Sequence, residues 1–577
     1  MPQRNIIKLF MTKKFTNKEV ATLLRNVSAA HQVKEANPFQ IRAYDVAADA
    51  VEHASSDVRA LWESGQIDQI PGIGSNIANY IDELFTTGKV KHFENFFKDI
   101  PVSMFEFLKI SGIGPKTAYK LAKAGAKNIS DLEEKIKSKK LLEKSFTEKP
   151  LENILQGIDE FKRKSDRILL PVAGEVAKQV LEYLRENKAV SAANPVGSLR
   201  RRVATVGDVD LSVASNSPKE VIQHFKKFPG VERVVESGER TATITVRGGI
   251  QVDLMVQPPE HYGSLLHHFT GSKNHNIHMR AIAREKGYSI SEYGTKETKT
   301  DKLHPCPKEE NVYSLLGMQM PPPELREDTG EIEASLKNEL PRLVEIQDVK
   351  GDLHTHSFWS DGQDSIEDMA KTAGKLGREY IALTDHSYPS LKFDQRLKEI
   401  EHINYSVNNI RVISGLEVNI NVDASLQVPD DILAKHDIIF VSIHTSFRRG
   451  KEEMTNRILK ALENPHVDVF AHPTGRLLLE REGIEADWEK IFKRVAQLGK
   501  FLEIDGYPNR LDLPDTLVKE AKRFGVKFTI DTDSHQIAHL SLMDYGISVA
   551  RRGWLAKEDI LNTLPYSKLK DILGIKD

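Results

Sequence analysis

Over about the last 230 residues, short and almost wholly apolar runs alternate with longer mixed stretches. The runs IALT, VISG, IIFVSI, VDVFA, FLEI and KFTI lack the regular polar positions of a strand with one wet face, so they read as parallel strands buried on both sides. The stretches between them are long enough for a helix each. This predicts a β/α barrel, an architecture whose strand ends share one rim. Upstream the pattern changes: TATITV alternates strictly and the strand GIQVDLMV follows it, which predicts a smaller α/β layer. In the N-terminal third, IPGIGSNIANYI and ISGIGPKTAYKLAKAG each predict a helix ending at Gly-Ile-Gly and a second helix starting at once, with Ser75 or Pro115 near its first turn.

Polar groups stand where the barrel runs stop. In chain order they are His354 and His356 in GDLHTHS, Asp361 in WSDG, His386 in IALTDHS, Glu417 in VISGLEV, His444 in IIFVSIHTS, His472 in VDVFAHP, and Asp533 with His535 in FTIDTDSH. Imidazole and carboxylate together suit zinc, manganese or iron, and this set of donors is too large for one four- to six-coordinate ion. A cluster of two or three metals is therefore expected. Neighbouring divalent ions bridge a phosphate oxygen, activate water and stabilise a leaving oxygen, which is the chemistry of phosphoester hydrolysis. A lone histidine at a strand end is ordinarily a satisfied core or loop residue, the reading given to His402, His436, His466 and His539. Six histidines, two aspartates and a glutamate gathered at successive strand ends do not fit that explanation.

A second constellation lies between residues 194 and 256. Asp208 and Asp210 in VGDVDLSV are two apart on one strand and so face one side, and Asp253 in GIQVDLMV can join them from a neighbouring strand. Three hard oxygen donors on adjacent strands suit two Mg²⁺ ions that also bind substrate phosphates. Gly197 and Ser198 form a turn ahead of Arg200 and Arg201, bringing hydroxyl, backbone N–H and guanidinium groups toward a triphosphate. One Asp-x-Asp alone is weak, since exposed strand acids are common; the upstream turn and the third aspartate make it specific.

The two N-terminal hairpins suggest a partner. Gly72, Gly74, Gly112 and Gly114 allow tight turns and leave backbone N–H groups bare at a helix start, a site for a phosphodiester oxygen, with Lys116 beside the second. A plain αα-turn would use glycine for steric reasons alone. Two copies about 40 residues apart favour contact with a DNA backbone.

Composition adds limits. A chain of 577 residues holds several domains, and 40% hydrophobic with 28% charged residues is ordinary for a globular protein. No apolar run reaches the roughly 18 residues of a membrane span, and the first residues lack a secretory leader pattern. Cys306 is the single cysteine, which excludes an internal disulfide and a cysteine-based zinc finger. These features point to the cytoplasm. The net charge is −2, but residues 1–164 carry 26 basic and 21 acidic side chains, leaving the rest at −7. That bias is too mild to establish nucleic-acid binding by itself.

These motifs carry a family resemblance. The order HxH, D, H, E, H, H, DxH over residues 347–577 resembles a PHP (polymerase and histidinol phosphatase) domain, which implies that the nine residues named above are ligands for two or three Mn²⁺ or Zn²⁺ ions. The Gly-Ser, Asp-x-Asp and later Asp arrangement resembles the nucleotidyltransferase palm of the DNA polymerase X family, the polymerase beta relatives, over roughly residues 1–320. FTGS, Phe269 to Ser272, is similar to that family's thumb motif. The resemblance implies that Asp208 and Asp210 hold two Mg²⁺ or Mn²⁺ ions. Asp253 would hold the ion near the primer 3′-hydroxyl and accept its proton. Gly197, Ser198, Arg201, Gly207, Phe269 and Gly271 would line the nucleotide, with Asn276 on its minor-groove edge and Arg280 on the template. The paired hairpins resemble helix-hairpin-helix motifs. Two departures matter: Tyr80 stands where polymerase beta carries its Schiff-base lysine, with Asn76 one turn earlier, and His268 replaces the tyrosine before the thumb phenylalanine.

The whole chain thus resembles the bacterial type of DNA polymerase X. The expected domains are an N-terminal helical DNA-binding domain (1–95), fingers with the second hairpin (96–168), an α/β palm (169–258), a thumb (259–320), a Pro-rich linker (321–346) and a distorted β/α PHP barrel (347–577). The expected activity is short-gap filling on gapped, nicked or primer-template DNA from deoxynucleoside triphosphates, by a monomer without membrane contact. The barrel is expected to act as a 3′-5′ exonuclease or other 3′-end-processing phosphoesterase. Two rival readings stand beside it: a DNA 3′-end nuclease or phosphatase whose palm only positions DNA, and a barrel whose metals serve the fold alone.

Overall fold

The computed structural model describes residues 15–575 apart from 16, 36, 53–57, 64–66, 68–69, 71, 111, 142–146, 166, 389–390 and 408. It divides into two compact units, residues 1–166 and 167–577.

The first unit is helical among its described residues. Its two Gly-Ile-Gly turns share one construction. Ile73 N–H donates to the Ile70 carbonyl at 3.1 Å and Ile113 N–H to Ile110 at 3.2 Å. The first glycine of each turn takes a positive φ, +99° at Gly72 and +82° at Gly112, which glycine adopts without penalty. The isoleucine between the glycines is buried in both copies, so the motif anchors one apolar side chain while turning the chain. Gly74 and Gly114 cap the following helices, Ser75–Thr87 and Pro115–Lys123, without a side-chain hydrogen bond. A Cβ at either would meet nothing within 4 Å. Both helix starts therefore present open backbone donors.

In the second unit, the palm sheet contains β1 (Ala192–Pro195), β2 (Val209–Ala214), β3 (Val231–Ser237), β4 (Thr241–Val246) and β5 (Ile250–Gln257), in the order β1-β2-β5-β4-β3. β2 and β5 run parallel with Asp210 opposite Asp253. Helices Leu170–Arg185 and Pro218–Phe225 cover the sheet with Ala173, Val180, Leu184, Val221 and Phe225. The alternation of TATITV is realised in β4, whose Ala242, Ile244 and Val246 are buried.

The barrel follows the predicted runs: β6 (Gly351–Thr355), β7 (Tyr380–Leu383), β8 (Arg411–Asn419), β9 (Ile438–Ser442), β10 (Val469–Phe470), β11 (Phe501–Asp505) and β12 (Lys527–Asp531) form one parallel sheet in sequence order. The first and last strands approach through a bridge between Thr355 and Ser534. At the other end of that seam Asn562 spans the gap, donating to the carbonyls of Gly351 at 2.9 Å and Ile530 at 2.6 Å and accepting from Ile530 N–H at 3.0 Å.

The Pro-rich stretch 320–328 is docked. Arg326 is fully buried and pairs with Glu309 at 2.5 Å, its guanidinium 5.2 Å from the Tyr313 ring. The barrel's helix Met543–Arg552 bridges to the palm. Its Gly546 is so close to the strands that a Cβ would lie 2.6 Å from Ile530 Cγ2. Asp544, Ser548, Arg551 and Arg552 lie on one stripe at helical spacing. Ser548 Oγ accepts from Arg202 Nε at 2.7 Å, and Arg551 Nε donates to Glu324 at 2.8 Å.

Candidate metal centres

The palm centre is built by strand register. Asp210 on β2 and Asp253 on β5 are paired across a parallel ladder, Asp208 precedes β2, and the three offer carboxylate oxygens within 4.8 Å of one another. Burial, followed by the charges of Asp208 and Asp253, pushes Asp210 up to about 7, and burial with Asp253 also raises Asp208. Like charges held this close favour a proton or a cation. Asp253 is fixed by Thr243 Oγ1, its cross-strand neighbour, and by Gln251 Nε2 at 2.8 Å.

Gly197 shows why that turn carries glycine: its φ is +61°, and a Cβ there would lie 2.2 Å from Asp210 Oδ2. Ser198 follows it at the start of the short helix Gly197–Arg200. Arg201 Nη1 donates to the Thr270 carbonyl at 2.7 Å, and a Cβ on Gly271 would lie 3.3 Å from the same nitrogen. The Gly-Ser turn and the FTGS turn thus meet at Arg201. Gly207 is exposed beside Asp208, Phe269 is partly buried, and Arg280 is exposed one turn after Asn276. Asn276 Nδ2 donates to the His268 carbonyl at 2.6 Å. Arg200, read from sequence as a second guanidinium toward the triphosphate, is instead engaged with Glu309, at 3.0 and 2.6 Å, and with Thr270 Oγ1. That bidentate pair ties palm to thumb. Its partner lies 109 residues away, which no local pattern discloses.

The barrel centre gathers all nine predicted donors. Glu417 is the hub: its Oε1 lies 3.1 Å from His444 Nε2 and 2.9 Å from His472 Nε2, and its Oε2 lies 2.9 Å from His386 Nδ1 and 3.4 Å from His354 Nε2. Asp361 Oδ2 lies 3.4 Å from His386 Nε2 and 3.3 Å from His535 Nε2, and Asp533 Oδ1 is 3.0 Å from His356 Nε2. Three overlapping ligand sets result: His356, Asp361, His386 and His535; His354, His356 and Glu417; His386, Glu417 and His444.

The donor set fits metal ions. His356 Nδ1 is buried without a hydrogen-bond partner, a costly state unless a cation takes the lone pair. Burial, reinforced by the neighbouring His535, pushes His356 down to about 4; burial and Arg510 do the same to His472. Both imidazoles are thus neutral, as ligands must be. Burial opposes charge on His535, but Asp361 overrides it and lifts that group to about 9. His444 keeps its side chain 24% exposed, so the cluster opens to solvent at the rim.

Three supporting residues escaped the sequence reading. Glu503, inside the run FLEI, accepts from His354 Nδ1 at 2.6 Å and from His472 N–H at 2.5 Å, orienting two ligands. A single carboxylate within an apolar strand is its one trace in the sequence. Arg510 places Nε 3.7 Å from Asp533 Oδ2. Asp385 accepts from Ser357 N–H and Arg396 Nε, both at 2.7 Å, and shapes the loop between His356 and Asp361.

Four family models match parts of the chain. Residues 15–90 match the helix-hairpin-helix domain family, 105–160 the SAM-like helix-hairpin-helix tandem, 265–327 the DNA polymerase beta thumb and 352–506 the PHP domain. A probable phosphatase of Thermoanaerobacter sp. (strain X514) is 26% identical over 238 residues, 39% of this chain and 94% of that protein. A probable phosphatase of Acetivibrio thermocellus is 30% identical over 198 residues, 32% of this chain and 78% of its own length. The DNA polymerase/3′-5′ exonuclease PolX of Bacillus subtilis (strain 168) is 35% identical over 567 residues, 96% of this chain and 98% of that relative. With that relative matched over nearly its whole length, and with helix-hairpin-helix, thumb and PHP families matched in order along it, the chain belongs to the bacterial DNA polymerase X family.

Proposed function

We propose that the chain is a DNA-directed DNA polymerase that fills short gaps during repair and whose barrel trims 3′ ends as a metal-dependent 3′-5′ exonuclease. The observation that carries this reading is the presence of two complete ligand clusters, three carboxylates in the palm and nine donors in the barrel. Mg²⁺ or Mn²⁺ at the palm and two or three Mn²⁺ or Zn²⁺ ions at the barrel would supply charge neutralisation and activation of the attacking oxygen. Asp208 and Asp210 would hold the palm ions, and Asp253, fixed by Thr243 and Gln251, would take the proton of the primer 3′-hydroxyl. Gly197, Ser198 and Arg201 would bind the triphosphate, with Gly207, Phe269, Gly271 and Asn276 around the nucleotide and Arg280 on the template. The bare helix starts at Gly74 and Gly114, with Gly72, Gly112 and Lys116, would grip the DNA backbone. In the barrel, Glu503 orients His354, while Arg510 would stabilise phosphate charge.

The opening at His444 favours catalysis over a purely structural cluster, because structural metal sites are closed. The domain boundaries expected from sequence, a cytoplasmic location and a monomeric state belong to the same reading. Among the described residues, no helix is long and apolar enough to cross a membrane.

The test is a 5′-labelled primer in a short-gapped duplex with Mn²⁺. Extension with nucleotides and shortening without them are expected. Failure to extend sinks the polymerase assignment, and failure to shorten moves the barrel's substrate to 3′-phosphates, abasic sites or small phosphoesters.

Tyr80 gives a further expected result. Its ring stacks on His92 at 5.2 Å, and a phenol forms no imine. Borohydride treatment of the protein with a 5′-deoxyribose-phosphate end should leave no covalent adduct through this position. A borohydride-trapped DNA adduct would contradict this.

A further inference from the structure

Arg201, the guanidinium assigned above to the triphosphate, is held from outside the palm. Its Nε donates to Glu327 Oε1 at 3.0 Å, at the last residue of the thumb match. The same Oε1 accepts from Arg552 Nη1, also at 3.0 Å, on the barrel's bridging helix. Arg552 Nη1 further donates to the Arg201 carbonyl at 2.9 Å, and its Nε is anchored on Asp515 at 2.7 Å. All three side chains are largely shielded, with exposures of 14% for Arg201, 28% for Glu327 and 9% for Arg552.

The bonding leaves one edge of Arg201 available. Nε is taken by Glu327 and Nη1 by the Thr270 carbonyl, while Nη2 has no hydrogen-bond partner among the described residues. Two bonds fix the plane of a guanidinium, so the remaining edge points in one direction. A lone carboxylate this near a triphosphate site would repel the substrate. Shared between two arginines, Glu327 supports Arg201 while its own charge is matched by the second guanidinium, which Asp515 also anchors.

We propose that Arg552 is a positioning residue for nucleotide binding: through Glu327 and the Arg201 backbone it presents the free edge of Arg201 to the triphosphate, which makes the barrel part of the polymerase's nucleotide site. This rests on Arg201 as a triphosphate contact.

Steady-state single-nucleotide gap filling by the full chain tests it. R552A is expected to raise KM for the deoxynucleoside triphosphate about fivefold, with kcat changed less than about twofold. The 3′-5′ exonuclease rate without nucleotides stays at the wild-type level. R552K, which retains a donor for Glu327, recovers part of the loss. In an R201A background, where KM is already raised, R552A adds nothing. E327A, a change outside the barrel, also raises KM, so the proposal does not depend on the folding of one variant.

If R201A raises KM but R552A and E327A leave it unchanged, positioning is overturned and the Arg201 reading stands. If R201A leaves KM unchanged, the Arg201 reading fails and takes the proposal with it. A lowered KM in E327A would make Glu327 a competitor for Arg201 and overturn positioning. A parallel fall of kcat, exonuclease rate and thermal midpoint in R552A would mark a purely structural contact and also overturn it.

Discussion

Asp210→Asn should abolish primer extension, by on the order of a thousandfold, while leaving primer shortening intact. Asp210 is partly buried and feels the charges of both Asp208 and Asp253, with a pKa pushed up to about 7. Asparagine keeps the shape and removes the charge that would hold a cation. The same variant should be more heat-stable than the parent at pH 8 without divalent ions, by a few degrees. The sign follows from linkage: a carboxyl raised in the fold is stabilising when protonated, below its unfolded value near 4, and loses that contribution as pH rises through about 7. At pH 8 the parent therefore bears the full repulsion and the variant does not. The advantage should vanish at pH 4 and shrink when Mg²⁺ is added. Scanning calorimetry alongside the extension assay checks both parts; a variant that loses extension and also melts earlier would point to misfolding.

Glu417→Gln should have the converse effect. Its two oxygens serve four histidines at 2.9 to 3.4 Å, and burial opposes its charge but the surrounding imidazoles hold it well below the usual carboxylate range. An amide offers one acceptor and one donor where two acceptors are needed. Primer shortening should fall on the order of a hundredfold or more. Metal measured by elemental analysis after gel filtration should drop by at least one ion per chain, while gap filling persists. Unchanged metal content with lost nuclease activity would move Glu417 from ligand to acid–base group. Loss of both activities would show that the barrel's metals support the whole second unit.

The barrel and its nine donors were legible because a β/α barrel ends every strand on one rim: His386, Glu417, His444 and His472 each close an apolar run. The palm trio was legible because Asp-x-Asp spacing turns both carboxylates to one side, although Asp208 lies just before the strand that carries Asp210, and the parallel pairing with Asp253 completes it. What escaped has a common cause. Glu309 as the partner of Arg200, and Ser548 as that of Arg202, stand 109 and 346 residues away. Contacts set by docking of one folded layer on another leave no periodic trace in either segment. Glu503 was hidden differently: its run was legible as a strand, but a single acid in a buried strand signals little until His354 and His472 are seen beside it.

Asn562 gives the barrel a vulnerability of another kind. Seven strands do not quite make a cylinder, and the Asn562 amide, together with Leu353 N–H on Asp531 Oδ1 at 2.7 Å, stitches the first strand to the last where neighbouring strands would otherwise share a ladder. Beside it lies the C-terminal helix Tyr566–Leu573, whose Leu569 is fully buried against the barrel. A chain shortened before Asn562 would uncover two strand margins with unsatisfied backbone groups, the template on which separate molecules pair. Such a truncation should therefore be recovered as soluble aggregates rather than as an inactive single species, which makes the segment from Asn562 through the helix Tyr566–Leu573 a guard against self-association.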